Sequence, residues 1–168
     1  IRQPWMRALV RRHFSSATRS RSICKHSKCA IIVHGGAWAI PDGDIHDASV
    51  QGVRAAAAAG FKLLEANETA LDAVEAAVRV LEDDCAFDAG TGSVLNEHGV
   101  VEMDSIIVDG ETLGFGAVAC VNNIKNPVSL ARKVMDTTSH CLLVGAGAMD
   151  FAHKSGIRTV ATELLVSP

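Results

Sequence analysis

Two rhythms of apolar residues organise the chain. Continuous or alternating apolar runs mark strands, and apolar residues that return every three or four positions mark helices. Ala30, Ile31, Ile32 and Val33 form an unbroken apolar run that predicts a short buried strand, ending in His34-Gly35-Gly36-Ala37. A loop through Pro41, Asp42, Gly43 and Asp44 leads to a helix over about 46–65, whose Ala-rich middle suits close packing. Thr69 and Asp72, spaced as a capping box, start the next helix, with Leu71, Val74, Val78 and Leu81 recurring at helical spacing. It runs out in Glu82, Asp83 and Asp84. Carboxylates at a helix C-terminus oppose the macrodipole, so the pattern predicts either plain solvation or a compensating cation.

Gly90 and Gly92 open a strand near Ser93–Asn96, Glu97-His98-Gly99 makes a turn, and Val100–Val108 reads as the antiparallel partner, closed by Asp109-Gly110. Phe115–Val121 follows as a third strand. Asn126 and Pro127 start a helix to about Thr138, Cys141–Val144 is a further strand, and Gly145–Ser155 is a last helix. A β-meander bracketed by helices predicts a layered α+β domain rather than a doubly wound parallel sheet.

Composition narrows the function classes. With 168 residues, 48% apolar and 21% charged, the chain suits one globular domain. No apolar run approaches the ~18 residues that cross a bilayer, so no membrane span is expected. The absence of Tyr, with two Trp and five Phe, argues against the stacking platforms that bind nucleic acid. A net charge of −3 hides two unlike pieces. Residues 1–30 carry eight Lys/Arg and no acid, whereas the remainder carries eight bases against all nineteen acids, a net of −11.

The chain therefore divides into a basic leader, residues 1–29, and a domain over 30–168. The leader is rich in Arg and Ser, and Arg12 to Ser16 resembles a processing site. It reads as a mitochondrial presequence, as a disordered basic arm, or as upstream sequence outside the translated frame. Five cysteines (Cys24, Cys29, Cys85, Cys120, Cys141) lack C-x-x-C spacing and support neither a disulfide framework nor a zinc site. A reducing compartment, mitochondrial or cytoplasmic, fits them, with Cys120 and Cys141 read as small buried apolar side chains.

Three glycine-bearing segments are candidates for chemistry. His34-Gly35-Gly36-Ala37 looks like the backbone oxyanion loop of esterases, but no serine lies in G-x-S-x-G, so that reading fails. Gly145-Ala146-Gly147 stands where a dinucleotide fingerprint would. With Asp150 in the third glycine position, and no βαβ unit evident before it, tight strand–helix packing is the expected reason for these glycines. The third is LEDDCAFDAGTGS, residues 81–93. Its Gly90–Thr91 dipeptide resembles an autoproteolytic site, but a cut there would split a tight turn from the helix before it. A backbone loop holding a cation through carbonyls suits it better.

Taken in order, IIVHGGAWAIP, LEDDCAFDAGTGSVLN, VEMDSIIVDG, GAVACVNNIKNPVSLARKVM and HCLLVGAGA resemble the plant-type L-asparaginase and isoaspartyl (β-aspartyl) peptidase family of N-terminal nucleophile hydrolases. The resemblance covers about residues 30–157 and the α-subunit half of such enzymes only. It implies an αββα sandwich whose two sheets draw strands from both halves of a self-cleaving precursor, assembled as (αβ)2. It also implies a Thr nucleophile whose own freed α-amine takes the hydroxyl proton. The expected substrates are L-asparagine and β-aspartyl dipeptides, opened through a covalent acyl-enzyme.

By the same resemblance the nucleophile, the second threonine, the oxyanion donors and the Arg/Asp pair that grips substrate lie in the other half. This chain is therefore expected to be inactive alone and to pair with a β-subunit half. The alternative is a truncated isoform or pseudoenzyme that pairs with a full-length relative. The resemblance assigns no catalytic residue here. It places Gly35 and Gly36 near the site as a backbone loop. Leu81, Glu82, Asp84, Phe87, Ala89 and Thr91 become carbonyl donors to a structural sodium ion, with no organic cofactor. Asp88 falls where many relatives carry an Asn that reaches toward the nucleophile. An ionised carboxylate there cannot donate a hydrogen bond, and it raises the pKa of a nearby amine.

Overall fold

A computed structural model of the protein describes residues 29–37 and 43–166. Residues 1–28 of the basic leader, 38–42 of the first loop and 167–168 lie outside the described residues. Two helices come first, α1 (Asp44–Glu65) and α2 (Ala70–Glu82). Then follow β1 (Met103–Val108), β2 (Phe115–Val121), α3 (Pro127–Thr137), β3 (Leu142–Val144) and α4 (Gly145–Lys154), with a 3-10 turn at Thr162–Leu164. Among the described residues no helix is long and apolar enough to cross a membrane.

The four expected helices form, with ends within two residues of those expected. Thr69 caps α2 with its hydroxyl oxygen, which accepts from the Asp72 N–H at 3.1 Å, while Asp72 Oδ2 accepts from the Thr69 N–H at 3.2 Å. Both halves of the box are present, so two N–H groups that the helix leaves unpaired are satisfied locally. α1 packs on α2 at backbone distance. A Cβ at Gly60 would lie 2.7 Å from the Ala73 carbonyl oxygen, so glycine is needed for the approach.

The sheet departs from the expected meander. Its order is β1-β2-β3, with β1 and β2 antiparallel and β3 parallel to β2. β2, α3 and β3 thus form a βαβ unit, because a parallel neighbour needs a crossover and α3 supplies it. Ser93–Asn96 is no strand. Ser93 makes one isolated parallel bridge to Val166, and Asn96 Oδ1 instead accepts from the His98 and Val100 N–H groups to hold the turn. Val100 and Glu102 bond to Asn96 within the turn and form no strand ladder, and β1 finds its partner in β2.

Ala30–Val33 pairs with no strand among the described residues. Ile31 and Val33 are half-buried, while Ile32 is 95% exposed, so an expected buried strand has one face covered and one open. Cys120 and Cys141 also differ from expectation, being exposed and half-buried. Cys120 occupies a left-handed position (φ 51) at an irregularity in the β1–β2 register, where its N–H donates to Asp104 Oδ1 at 2.8 Å. A bulge turns its side chain away from the core.

Two apolar cores result. The larger joins the inner face of the sheet (Ile107, Val118) to α3 (Leu130, Val134) and α4 (Ala148, Ala152). The smaller joins Ala56, Ala77, Leu81 and Phe87. α2 touches both cores, and Arg132 ties it to α3 by reaching Asp72 at 3.3 Å and Glu75 at 3.6 Å, besides Asp136 of its own helix at 2.7 Å. The outer face of the sheet is different in kind. Ile106, Val108, Phe115, Leu142 and Val144 all project from it and are exposed.

Candidate functional site

Phe87 brings two of the candidate segments together. Its buried ring is wedged between Gly35 and Gly52. A Cβ at Gly35 would lie 2.7 Å from the ring, and one at Gly52 would overlap the ring and come within 2.8 Å of Asp84 Oδ2. Residues 34–36, α1 and the loop after α2 are therefore locked by one aromatic side chain. Gly36 (φ 131) adopts a backbone shape that other residues rarely take, and its N–H donates to His34 Nδ1 at 3.1 Å. Beside it a groove of about 110 Å³, lined by Ile31, Val33, His34, Val74 and Leu81 among others, separates the extended segment from α2.

The loop from Leu81 to Thr91 closes head to tail. The Thr91 N–H donates to the Glu82 carbonyl at 2.7 Å, the Asp84 N–H to Leu81 O at 3.3 Å, and the Phe87 N–H to Asp84 O at 3.2 Å. Gly90 (φ 61) sits against the Glu82 carbonyl so closely that a Cβ would collide with it. A Cβ at Gly92 (φ 101) would lie 2.6 Å from Phe87 O and 2.9 Å from Cys85 O. Backbone oxygens of Glu82, Cys85 and Phe87 thus crowd both glycines, and neither position has room for a side chain. The expected donors Leu81, Glu82, Asp84, Phe87, Ala89 and Thr91 all lie on this loop, and neutral backbone oxygens suit a hard monovalent cation. Among the described residues no group of three or more His, Cys, Asp and Glu is gathered as metal ligands. Asp88 is exposed, and its Oδ1 accepts from the Val94 N–H at 2.9 Å, pinning the far side of the loop.

The three acids that end α2 are not left to solvent. Asp83 pairs with Lys125 Nζ at 3.0 Å and accepts from Asn126 Nδ2 at 3.0 Å. Asp84 Oδ1 accepts from the Ala86 N–H at 3.0 Å. Glu82 is only 3% exposed, and its Oε1 accepts from the Val128 N–H at 2.9 Å in the first turn of α3. The positive end of one helix therefore answers the acids at the negative end of another, an arrangement invisible in local sequence.

Burial pushes the Glu82 carboxyl up from 4.5 to about 7. The Val128 N–H and the Asn126 side chain offset part of the rise, and neighbouring Asp83 adds to it. A carboxyl raised in the folded state holds its proton while the unfolded chain has lost it. Its stabilising contribution is therefore complete below pH 4.5 and is lost as pH rises from there to about 7. The loss amounts to about 3 kcal/mol. Urea midpoints across that window are expected to fall in the wild type more steeply than in Glu82→Gln, and parallel slopes would refute the assignment.

The Gly145-Ala146-Gly147 segment does not serve tight packing. A Cβ at Gly145 or Gly147 would meet nothing within 4 Å, and a βαβ unit does precede it. Gly145 is explained by its positive φ of 52 at the junction of β3 and α4. Nothing in the structure explains Gly147. Gly116 carries the close contact instead, a residue that no motif singled out. Its missing Cβ lets β2 lie against the backbone of α3 at Ala131 and Met135.

The sequence model of the asparaginase family matches residues 27–168. Over 137 residues the chain is 48% identical to an isoaspartyl peptidase/L-asparaginase of Bos taurus, covering 82% of this chain and 44% of that protein. It is 54% identical over 127 residues to a plant-type L-asparaginase of Pyrococcus abyssi, covering 76% of this chain and 41% of the relative. With the Xenopus laevis isoaspartyl peptidase/L-asparaginase it shares 49% over 140 residues, 83% of this chain and 45% of that protein. The chain thus spans less than half the length of these curated relatives. The mixed helix-and-sheet fold, the glycine-cradled loop and a match over most of its length lead to one conclusion: the chain belongs to the asparaginase family.

Proposed function

We propose that this chain supplies the N-terminal part of a hydrolase that releases aspartate from L-asparagine or from β-aspartyl dipeptides. The near-half identity to proteins named isoaspartyl peptidase/L-asparaginase carries this reading. In it the reacting threonine comes from a second polypeptide segment, and the domain that follows the leader provides scaffold. Two features support such a division. The outer face of the β1–β3 sheet is apolar and open, and Ala30–Val33 lies extended on α2 without strand neighbours among the described residues. Each is half of a layer that a second segment would finish, giving an N-terminal-nucleophile sandwich.

Within that assembly the chain's own residues position rather than react. Gly35 and Gly36 bring bare backbone close to the site through the Phe87 lock. Through the six carbonyls named above the Leu81–Thr91 loop would hold a sodium ion, which would supply a fixed positive charge there. Asp88, engaged through one oxygen, presents its carboxylate at the loop's outer side.

Aspartate release is the test. The purified chain is expected to give no more than a blank with L-asparagine and with a β-aspartyl dipeptide. Co-expression with the remaining C-terminal part of the bovine relative is expected to give turnover. Aspartate formed by the chain alone would overturn the division of labour, and a silent co-expressed complex would overturn the hydrolase reading.

A further inference from the structure

Glu82 belongs to two structures at once. Its backbone carbonyl is part of the glycine-cradled loop, accepting from the Thr91 N–H, and its carboxylate reaches the first turn of α3. That turn lacks a cap of its own. Asn126 occupies the capping position, but its side chain makes no capping bond and donates instead to Asp83. Pro127 has no N–H, so Val128 presents the first amide of the helix, and the buried Glu82 carboxylate takes it. Oε2 of the same group has no hydrogen-bond partner in the structure. A half-satisfied carboxyl at a buried junction is expensive to keep. Here it joins the end of α2 to the start of α3, beside the Asp83 contacts to Lys125 and Asn126.

The joint is stiff on both sides. On the loop side Gly90 is pressed onto the Glu82 carbonyl, and Asp83 adds the bridge to Lys125 and Asn126 just ahead of α3. On the helix side α3 lies on β2 at backbone contact through Gly116. A change in the loop therefore has a direct route into the helix and from there into the sheet.

We propose that Glu82 is a positioning residue that couples cation occupancy of the Leu81–Thr91 loop to the docking of α3 on the sheet. The proposal rests on the cation reading above and assigns the Glu82 side chain a task that carbonyl ligation alone does not require. Filling the loop fixes the Glu82 backbone, which fixes its carboxylate on Val128, and α3 opens less often.

Hydrogen exchange of the full chain, in sodium chloride and in choline chloride at equal ionic strength, reads both ends of the coupling. In the wild type, sodium is expected to slow exchange at Thr91 and Gly92, and also at Leu130–Val134 inside α3, by about tenfold. In Glu82→Leu the loop is expected to keep its response while α3 loses it. Glu82→Gln keeps an acceptor oxygen and is expected to restore a partial response in α3. Slowing in the wild-type loop without slowing in α3 would overturn the coupling and leave the cation reading standing. No sodium effect at the loop would overturn both. An α3 response in Glu82→Leu equal to that of the wild type would show that the coupling runs elsewhere and defeat the assignment. Should Glu82→Leu not fold, the wild-type comparison of loop with helix decides alone.

Discussion

Replacing Gly116 by alanine is expected to destabilise the protein by about 3 kcal/mol, a large share of the 5–15 kcal/mol that holds a domain of this size. A Cβ there would overlap the Ala131 carbonyl oxygen and lie 2.5 Å from the Met135 backbone nitrogen and 2.7 Å from its Cβ. Two of those three groups are helix backbone and cannot rotate away, so relief requires α3 to lift from β2. Lifting α3 would open the contacts of Leu130 and Val134 in the larger core. Gly110→Ala is the matched control, because a Cβ there meets nothing within 4 Å. It is expected to shift stability by less than about 0.5 kcal/mol. Urea unfolding of both variants checks the pair, and equal midpoints would show that α3 has room to move.

The second large effect concerns association. Ile106 and Val144 stand on the outer face of the sheet, on the two strands that flank β2, and are 60% and 51% exposed. Changing both to lysine is expected to leave the isolated chain about as stable as before, since neither side chain is buried in it. Pairing with a second segment that covers this face is expected to weaken by at least two orders of magnitude. Each apolar side chain forgoes about 1.5–3 kcal/mol of burial, and each ammonium must be stripped of water without a partner. The readout is the concentration of the C-terminal part of the bovine relative needed to restore aspartate release. Asp150→Lys, on an exposed position of α4, controls for added charge. Unchanged complementation by the double variant would place the partner elsewhere.

Both outcomes depend on features of unequal legibility. The α2 cap and the Asn126-Pro127 start of α3 follow from local rules, because every group involved lies within a few residues of its partner, and the span of β2 follows from its own run of apolar residues. Ser93–Asn96 looked like a strand for equally local reasons, but a strand needs a neighbour, and β1 had a better one in β2. The glycines divide in the same way. Gly90 and Gly92 announce a tight loop from their spacing, whereas Gly116 is silent, since the backbone it faces is fifteen residues away.

By itself the sequence determined the helices, the cation-loop candidate and the family, because these rest on periodicity, short-range capping and the order of motifs. The tertiary structure alone decided what answers the acids at the end of α2, what Phe87 locks and which face of the sheet stays open. Those are questions of which distant surfaces meet. A buried carboxylate finds the start of another helix, and an aromatic ring finds two glycines. Such meetings follow from packing in three dimensions, where separation along the chain no longer measures distance.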